Sequence, residues 1–375
     1  MTQNSGKKRV VIKIGSSSLT SSHGEISRRK LERLSDQVVQ LKDEGHEVLL
    51  VSSGAVAAGY RKLGCLERPD TLPEKQAAAS IGQGLLMEAY SEIFLSHGYV
   101  ASQILITRSD FSDEKRYNNA RNTINVLLER GIIPIVNEND TVTIERLKFG
   151  DNDTLSAKVS GLVDADMLMI LSDIDGLYDD DPRKNKNANL LRKVEDITPE
   201  IEDAAGEPGS SVGTGGMRSK IDAFKITMAS GIQAFLGRAD VPNILIDAIH
   251  ERAKGTYFDA HKDHINLDQK KQWIAFNSGP EGELIIDNDT KTLITEKKES
   301  ILSSGIYHVK GRFKKNSVVR VLDLNGDELG LGVVNYSSNE LKKMLEKVDK
   351  DELMDVAVDI EHLVCHLEVS IPMGV

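Results

Sequence analysis

Short apolar runs alternate with amphipathic helical stretches through the first two-thirds of the chain, and this alternation leaves few folds open. Arg9–Ile14 reads as a buried strand, and Ser27 can cap a helix whose apolar face is Leu31, Leu34, Val38 and Leu41, ending at Gly45. Glu47–Val51 is the next strand, after which Ser53 and Gly54 turn into an alanine-rich segment. Helical patterns over about Glu74–His97 and Tyr117–Arg130 flank a strand near Tyr99–Ile106, and strands follow at Ile132–Val136 and Met167–Leu171. Strand–helix alternation of this kind predicts an α/β fold: an open, mostly parallel sheet with helices on both faces. Right-handed crossovers then collect the strand-to-helix loops on one edge of the sheet, where such folds bind ligands.

The pattern changes after about Ala260. Residues 266–280 read as a polar linker, and beyond them short alternating runs at Glu283–Ile286, Gly305–Val309, Ser317–Leu322 and Leu329–Val334 are separated by turn signals such as Asn325-Gly326. The expectation is a catalytic domain over 1–265 and a small β-barrel-like domain over 281–375, with a helix near Asn339–Lys347. A chain of 375 residues is long enough for two such cores. No apolar run approaches the ~20 residues of a membrane helix, and the polar start does not resemble a secretory signal, so a cytoplasmic protein is expected. Cys65 and Cys365 are far apart in sequence and read as thiols of a reducing compartment. The net charge of −11 argues against nucleic acid as the main partner.

Polar motifs fall at the predicted strand ends. Lys13 precedes Gly15 and three serines, a pattern that lets backbone N–H groups and one ammonium approach phosphate oxygens; a turn with a solvated lysine is the plainer alternative. Ser53 and Gly54 offer a hydroxyl beside a helix start, suited to a carboxylate or phosphate or to a simple cap. The run from Gly213 to Lys220 places three glycines before a helix, without the Gly-Lys-Ser/Thr spacing of a Walker A loop. Between them lie Asn137-Glu-Asn-Asp140, Phe149-Gly-Asp-Asn-Asp153 and Ser172-Asp-Ile-Asp-Gly-Leu-Tyr178. Acids and amides at strand ends can hold Mg²⁺, an ammonium group, or the lysines that handle a nucleotide. By contrast Asp164 and Asp166, which precede a strand, read as surface turn residues, and Asp179–Pro182 as a solvated loop.

Taken in order, these motifs resemble those of the glutamate 5-kinases in the amino-acid kinase superfamily, and the segment from Gly305 to Val334 resembles the PUA domain that bacterial members append. The resemblance implies ATP-dependent phosphorylation of the γ-carboxylate of L-glutamate, the first step of proline biosynthesis. It implies that Lys13 and Lys220 contact ATP phosphates, together with the loop Thr214, Gly215, Gly216, Met217, Arg218 and Ser219. Ser172 and Asp173 would serve the nucleotide, and Ser53, Gly54, Asp140 and Asn152 the glutamate. Asp151 and Asp153 would organise lysines or Mg²⁺, with the direct metal ligands left open. A homodimer or homotetramer and feedback inhibition by proline are further implications of the resemblance alone.

The chemistry suits these residue types. A γ-carboxylate, with an ordinary pKa of about 4.3, is ionised at neutral pH and needs no general base. Transfer needs in-line alignment and neutralisation of two anions, which lysines and Mg²⁺ provide. The competing reading is RNA binding by the C-terminal domain through Lys310, Arg312, Lys314, Lys315 and Arg320. The acidic balance of that domain favours a solvated hairpin instead.

Overall fold

The computed structural model describes residues 6–21, 25–143, 152–180, 182, 185–204, 216–259, 267–346 and 355–365. The chain forms two compact units, one of Met1–Asp110 with Lys115–Lys262 and one of Phe111–Glu114 with Asp263–Val375. In chain order the first part runs β1 (Arg9–Ile14), α1 (Ser16–Leu19), α2 (Arg28–Asp43), β2 (Glu47–Ser52), α3 (Ala55–Gly59), α4 (Leu72–Ser96), β3 (Ala101–Ile106), α5 (Arg108–Ser112), α6 (Glu114–Glu129) and β4 (Ile133–Glu138). It continues with α7 (Asn152–Leu162), β5 (Met167–Ser172), β6 (Lys193–Val194), α8 (Pro199–Ala204), α9 (Met217–Ala229), β7 (Gln233–Arg238), α10 (Ile244–Ile249) and β8 (Thr256–Phe258).

These strands make one eight-stranded sheet in the order β3-β4-β2-β1-β5-β7-β8-β6. Every pairing is parallel except β7 with β8. A sheet covered on both faces demands apolar residues at consecutive positions rather than at alternate ones. The central strand meets that demand: Val10, Val11, Ile12 and Ile14 are all fully buried. Lys13 is the one polar residue in this run, paired in register with Val51 and Ile170, and its position near the carboxyl end of β1 lets its side chain reach the sheet edge.

Helix α2 buries Leu31, Leu34, Val38 and Leu41, the expected stripe. Ser27 is its N-cap residue, but its side chain makes no capping hydrogen bond. Helices α3 and α4 cross at two glycines. A Cβ on Gly59 would stand 1.9 Å from the Ala78 carbonyl oxygen, and one on Gly82 would stand 1.8 Å from that of Ala55. Only hydrogen fits there, so the two backbones touch. At the opposite edge of the sheet, Asp166 accepts from the Arg9 N–H at 2.6 Å and Asp164 from Arg121 at 2.6 Å. Of the acids read as turn residues, Asp166 therefore ties the starts of β1 and β5 together, and Asp164 ties its turn to α6.

The second unit contains α11 (Gln269–Gln272), β9 (Gly282–Ile286), α12 (Asn288–Thr292), β10 (Ile301–Leu302), β11 (Ile306–Gly311), β12 (Val318–Leu322), β13 (Glu328–Val334), α13 (Ser338–Leu345) and β14 (Val356–Cys365). Its sheet, in the order β10-β14-β13-β12-β9-β11, curls into half a barrel around Leu284, Ile286, Val319, Val321, Val334, Ala357 and Val358. Ser337 and Glu340 form a reciprocal capping box at the start of α13.

Two differences from the sequence reading stand out here. Of the segment read as a linker over 266–280, residues 269–277 are helical: after α11 a π-helical turn over Trp273–Asn277 buries Trp273, Ile274, Ala275 and Phe276. Four consecutive apolar residues were masked by their lysine-rich and Gly-Pro flanks. Strand β14 was not anticipated, because Asp359, Glu361 and His362 interrupt its apolar alternation. In the basic cluster, Lys310 pairs with Glu283 at 3.3 Å and Arg320 with Glu328 at 3.1 Å, which lowers its net charge.

Candidate active site

Three elements converge on one carboxylate. Asp153, in the first turn of α7, is fully buried. Lys13, from β1, brings its Nζ to 2.6 Å from Asp153 Oδ1. Lys220, in the first turns of α9, donates to Oδ2 at 2.9 Å. The Ser219 hydroxyl lies 3.2 Å from the same Oδ2 and 2.8 Å from the carbonyl oxygen of Gly216, the N-cap residue of α9. Burial alone would raise the Asp153 carboxyl, but the charges of Lys13 and Lys220 outweigh it and hold the group below the ordinary carboxylate value. Two ammonium groups against one carboxylate leave one positive charge in excess, confined where water is scarce. That is an attractive place for a polyphosphate and a costly one to leave without an anion.

One residue earlier, Asn152 anchors a second network. Its Nδ2 donates toward the Ser52 carbonyl at 2.7 Å, with Ser53 Oγ and Asn137 Oδ1 each at 3.0 Å. A peptide carbonyl can only accept, so the nitrogen of Asn152 must face Ser52, and Oδ1 is the edge it can offer elsewhere. Asn137 Oδ1 also accepts from the backbone N–H of Glu138 at 2.9 Å, and Asn137 Nδ2 donates to Gln83 Oε1 at 2.9 Å. The Ser52 hydroxyl lies 3.1 Å from that of Tyr90, a fully buried residue of α4 whose phenol burial pushes upward. Gly54 caps α3 at a φ of 97°, the left-handed region open to glycine, and so sets the turn that presents Ser53.

Asp140 lines a cavity of about 270 Å³ with Ser80, Gln83, Gln103, Glu138 and Thr141. On the other side of β1, Ser172 ends β5 and donates to Asp173 at 3.1 Å. Ser172 lies beside Arg238 of β7 in the sheet register.

The expected residues thus form a lysine–carboxylate group (Lys13, Asp153, Lys220, with Ser219), an amide–hydroxyl group (Ser53, Asn152) and a strand end (Ser172, Asp173). Arg218 is engaged elsewhere, 2.9 Å from Glu202 and 3.7 Å from Asp222. Met217 opens α9. Asp151, Thr214 and Gly215 lie outside the described residues. The sequence reading did not single out Asn137, Gln83 or Tyr90 as site residues. Asn137 stands in the strand-end motif Asn137-Glu-Asn-Asp140, whereas Gln83 and Tyr90 had only their spacing of seven on one face of α4, which says nothing of their partners.

Among the described residues no group of three or more His, Cys, Asp or Glu side chains is arranged to hold a metal ion. Both oxygens of Asp153 already face lysines, which suits a magnesium ion that arrives coordinated to nucleotide phosphates better than one caged by protein. No helix among these residues is long and apolar enough to cross a membrane.

A mostly parallel sheet whose central strand carries a buried lysine, with a second lysine from a helix start held on the same carboxylate, suits a phosphotransferase class. Residues 8–237 match the amino acid kinase family, to which the chain belongs, and residues 282–351 match the PUA domain. Over all 375 residues and the full length of each relative, it is 67% identical to glutamate 5-kinase 2 of Bacillus licheniformis and 66% identical to glutamate 5-kinase 2 of Bacillus subtilis. A solved structure of carbamate kinase from Giardia lamblia bound to AMP-PNP shares the fold, with a TM-score of 0.51 and 16% identity over 68% of this chain and 98% of its own.

Proposed function

We propose that the protein transfers the γ-phosphoryl group of ATP to the γ-carboxylate of L-glutamate, giving ADP and L-glutamyl 5-phosphate, the entry step of proline biosynthesis in the cytoplasm. The observation that carries this reading is the pair Lys13 and Lys220 held on Asp153, next in sequence to Asn152, whose amide donates toward Ser53. The full-length identity to glutamate 5-kinases supports the choice of acceptor.

The attacking γ-carboxylate is already ionised near neutrality, so no side chain has to remove a proton. The obstacle is the approach of one anion to another. Lys13 and Lys220 neutralise the transferring phosphoryl oxygens, and Asp153 keeps both ammonium groups aimed before substrate arrives, which removes a reorganisation cost from the reaction itself. Magnesium bound with ATP would supply further neutralisation of the phosphate charge, beside the ammonium groups of Lys13 and Lys220. Asp140 supplies a negative partner for the α-ammonium of glutamate, and Asn152, through Oδ1, a neutral acceptor. Ser172 and Asp173 serve the nucleotide. A homo-oligomer and end-product control by proline belong to the same reading.

A hydroxamate assay with ATP across L-glutamate, L-aspartate and N-acetylglutamate tests it, with ADP release read in parallel for a nucleoside monophosphate, whose phosphorylation yields no acyl phosphate. Product with L-glutamate above all others is expected. Preference for a different acceptor sinks the assignment while leaving the kinase class standing.

A further inference from the structure

The buried amide of Asn137 connects the substrate side of the site to the middle of α4, through a residue to which no role has been given. Asn137 is 3% exposed. Its oxygen receives Asn152 Nδ2 and the Glu138 N–H, and its nitrogen has Gln83 Oε1 at 2.9 Å. We infer that Gln83 is a positioning residue for the acidic substrate: its Oε1 holds the Asn137 amide in the orientation that keeps Asn152 turned toward the ligand.

The argument rests on donor and acceptor counts. Asn152 Nδ2 needs acceptors, and Asn137 presents one only when its own nitrogen points the other way. The nitrogen then faces a buried environment in which an unmet donor is costly, and Gln83 Oε1 meets it. With that acceptor gone, the Asn137 amide is held from its oxygen side alone, and each excursion to the rotated form sets nitrogen against nitrogen at Asn152. Asn152 is then released from Ser52 and Ser53, and the edge it offers to substrate is no longer fixed. Gln83 is suited to this work by its support. It lies one residue after Gly82, where α4 is in backbone contact with α3, and seven before Tyr90, which steadies Ser52 from the same helix. Gln83 also lines the cavity that holds Asp140, so one side chain joins both halves of the substrate site.

The inference rests on the glutamate reading above, and the test separates the two. Gln83→Leu removes the acceptor at similar volume. It should raise the KM for glutamate about tenfold while kcat and the KM for ATP stay within about twofold. Combined with Asn137→Ala, it should add little, because the route through Asn137 is already broken. An unchanged glutamate KM, a parallel rise in the KM for ATP, or effects that multiply in the double variant would overturn the proposal. Gln83→Glu gives an independent reading should Asn137→Ala not fold: it keeps an acceptor for Asn137 and should hold the glutamate KM within about threefold of the parent. A rise as large as that of the leucine variant would count against the relay. Should the unmutated protein phosphorylate an acid other than glutamate, the acceptor assignment fails, and the same variants measured with that acid decide the role of Gln83.

Discussion

Lys220 donates to Asp153 at 2.9 Å across 67 residues of sequence, from the start of one helix to the start of another. The contact fixes where α9 begins relative to β1, because Lys13 holds the other oxygen of the same carboxylate. The start of α9 is thereby tied to the centre of the sheet by charge rather than by backbone pairing.

On the proposed mechanism, replacement of Lys220 by alanine removes one of the two ammonium groups that neutralise the transferring phosphoryl group. The expected result is a fall in kcat of about 10²–10³ with a change of only a few-fold in the KM for glutamate. Steady-state kinetics with glutamate varied at saturating ATP checks it; an equal loss of glutamate binding would place Lys220 in substrate recognition instead.

Asp153 gives a pH dependence with a definite sign. Its carboxyl is held below the ordinary value of 3.8 in the folded state, so the unfolded chain takes up this proton first as the pH falls. Its stabilisation is complete at neutral pH and is lost as the pH drops below that ordinary value. Asp153→Asn removes the carboxylate that Lys13 and Lys220 share and should cost about 3–5 kcal/mol at pH 7, with a shallower acid limb. Denaturant midpoints from pH 3 to pH 7 for both proteins decide it.

Asp140→Ala should raise the KM for glutamate about tenfold or more and leave the KM for ATP within about twofold, since an acid suits the α-ammonium and not the nucleotide. Initial rates with each substrate varied in turn measure this. A rise confined to ATP would remove Asp140 from the acceptor site.

Lys158, buried in α7, has its ammonium pushed down to about 7, chiefly by burial, with the charge of Arg108 acting in the same direction. Between that value and the ordinary 10.5 the unfolded chain holds more protons than the folded one, so this group makes stability rise as the pH rises. The slope from one such group is at most about 1.4 kcal/mol per pH unit. Lys158→Met should be more stable than the parent at pH 6, with the difference shrinking toward pH 10. A constant difference across that range would mean that Lys158 does not titrate there.

Much of the first unit was legible in the sequence because parallel strands buried on both faces announce themselves as unbroken apolar runs. The helix patterns near Glu74–His97 and Tyr117–Arg130 correspond to α4 and α6, shifted by one to three residues. Strand β14 and the buried turn at Trp273–Asn277 were not legible, since their apolar residues are short runs set among charges. In the site, motifs located the loops but not the partners within them. That Asp153 divides its oxygens between lysines on two different elements depends on the angle at which α7 leaves its loop, and no spacing encodes that. The Gln83–Asn137 contact was similarly hidden, because a glutamine in a long alanine-rich helix carries no local signal of being met by an amide from a strand.

The crossing of α3 and α4 at Gly59 and Gly82 has a consequence for how selectivity can be adjusted. With no side chain between the two backbones, a shift of α4 along its axis reaches the Ser53–Gly54 turn undamped. The helical frame offers no slack for widening the pocket toward a larger acid or narrowing it toward a smaller one. Discrimination among acceptors has to be altered by exchanging side chains on the cavity wall, one group at a time, while the frame behind them stays fixed.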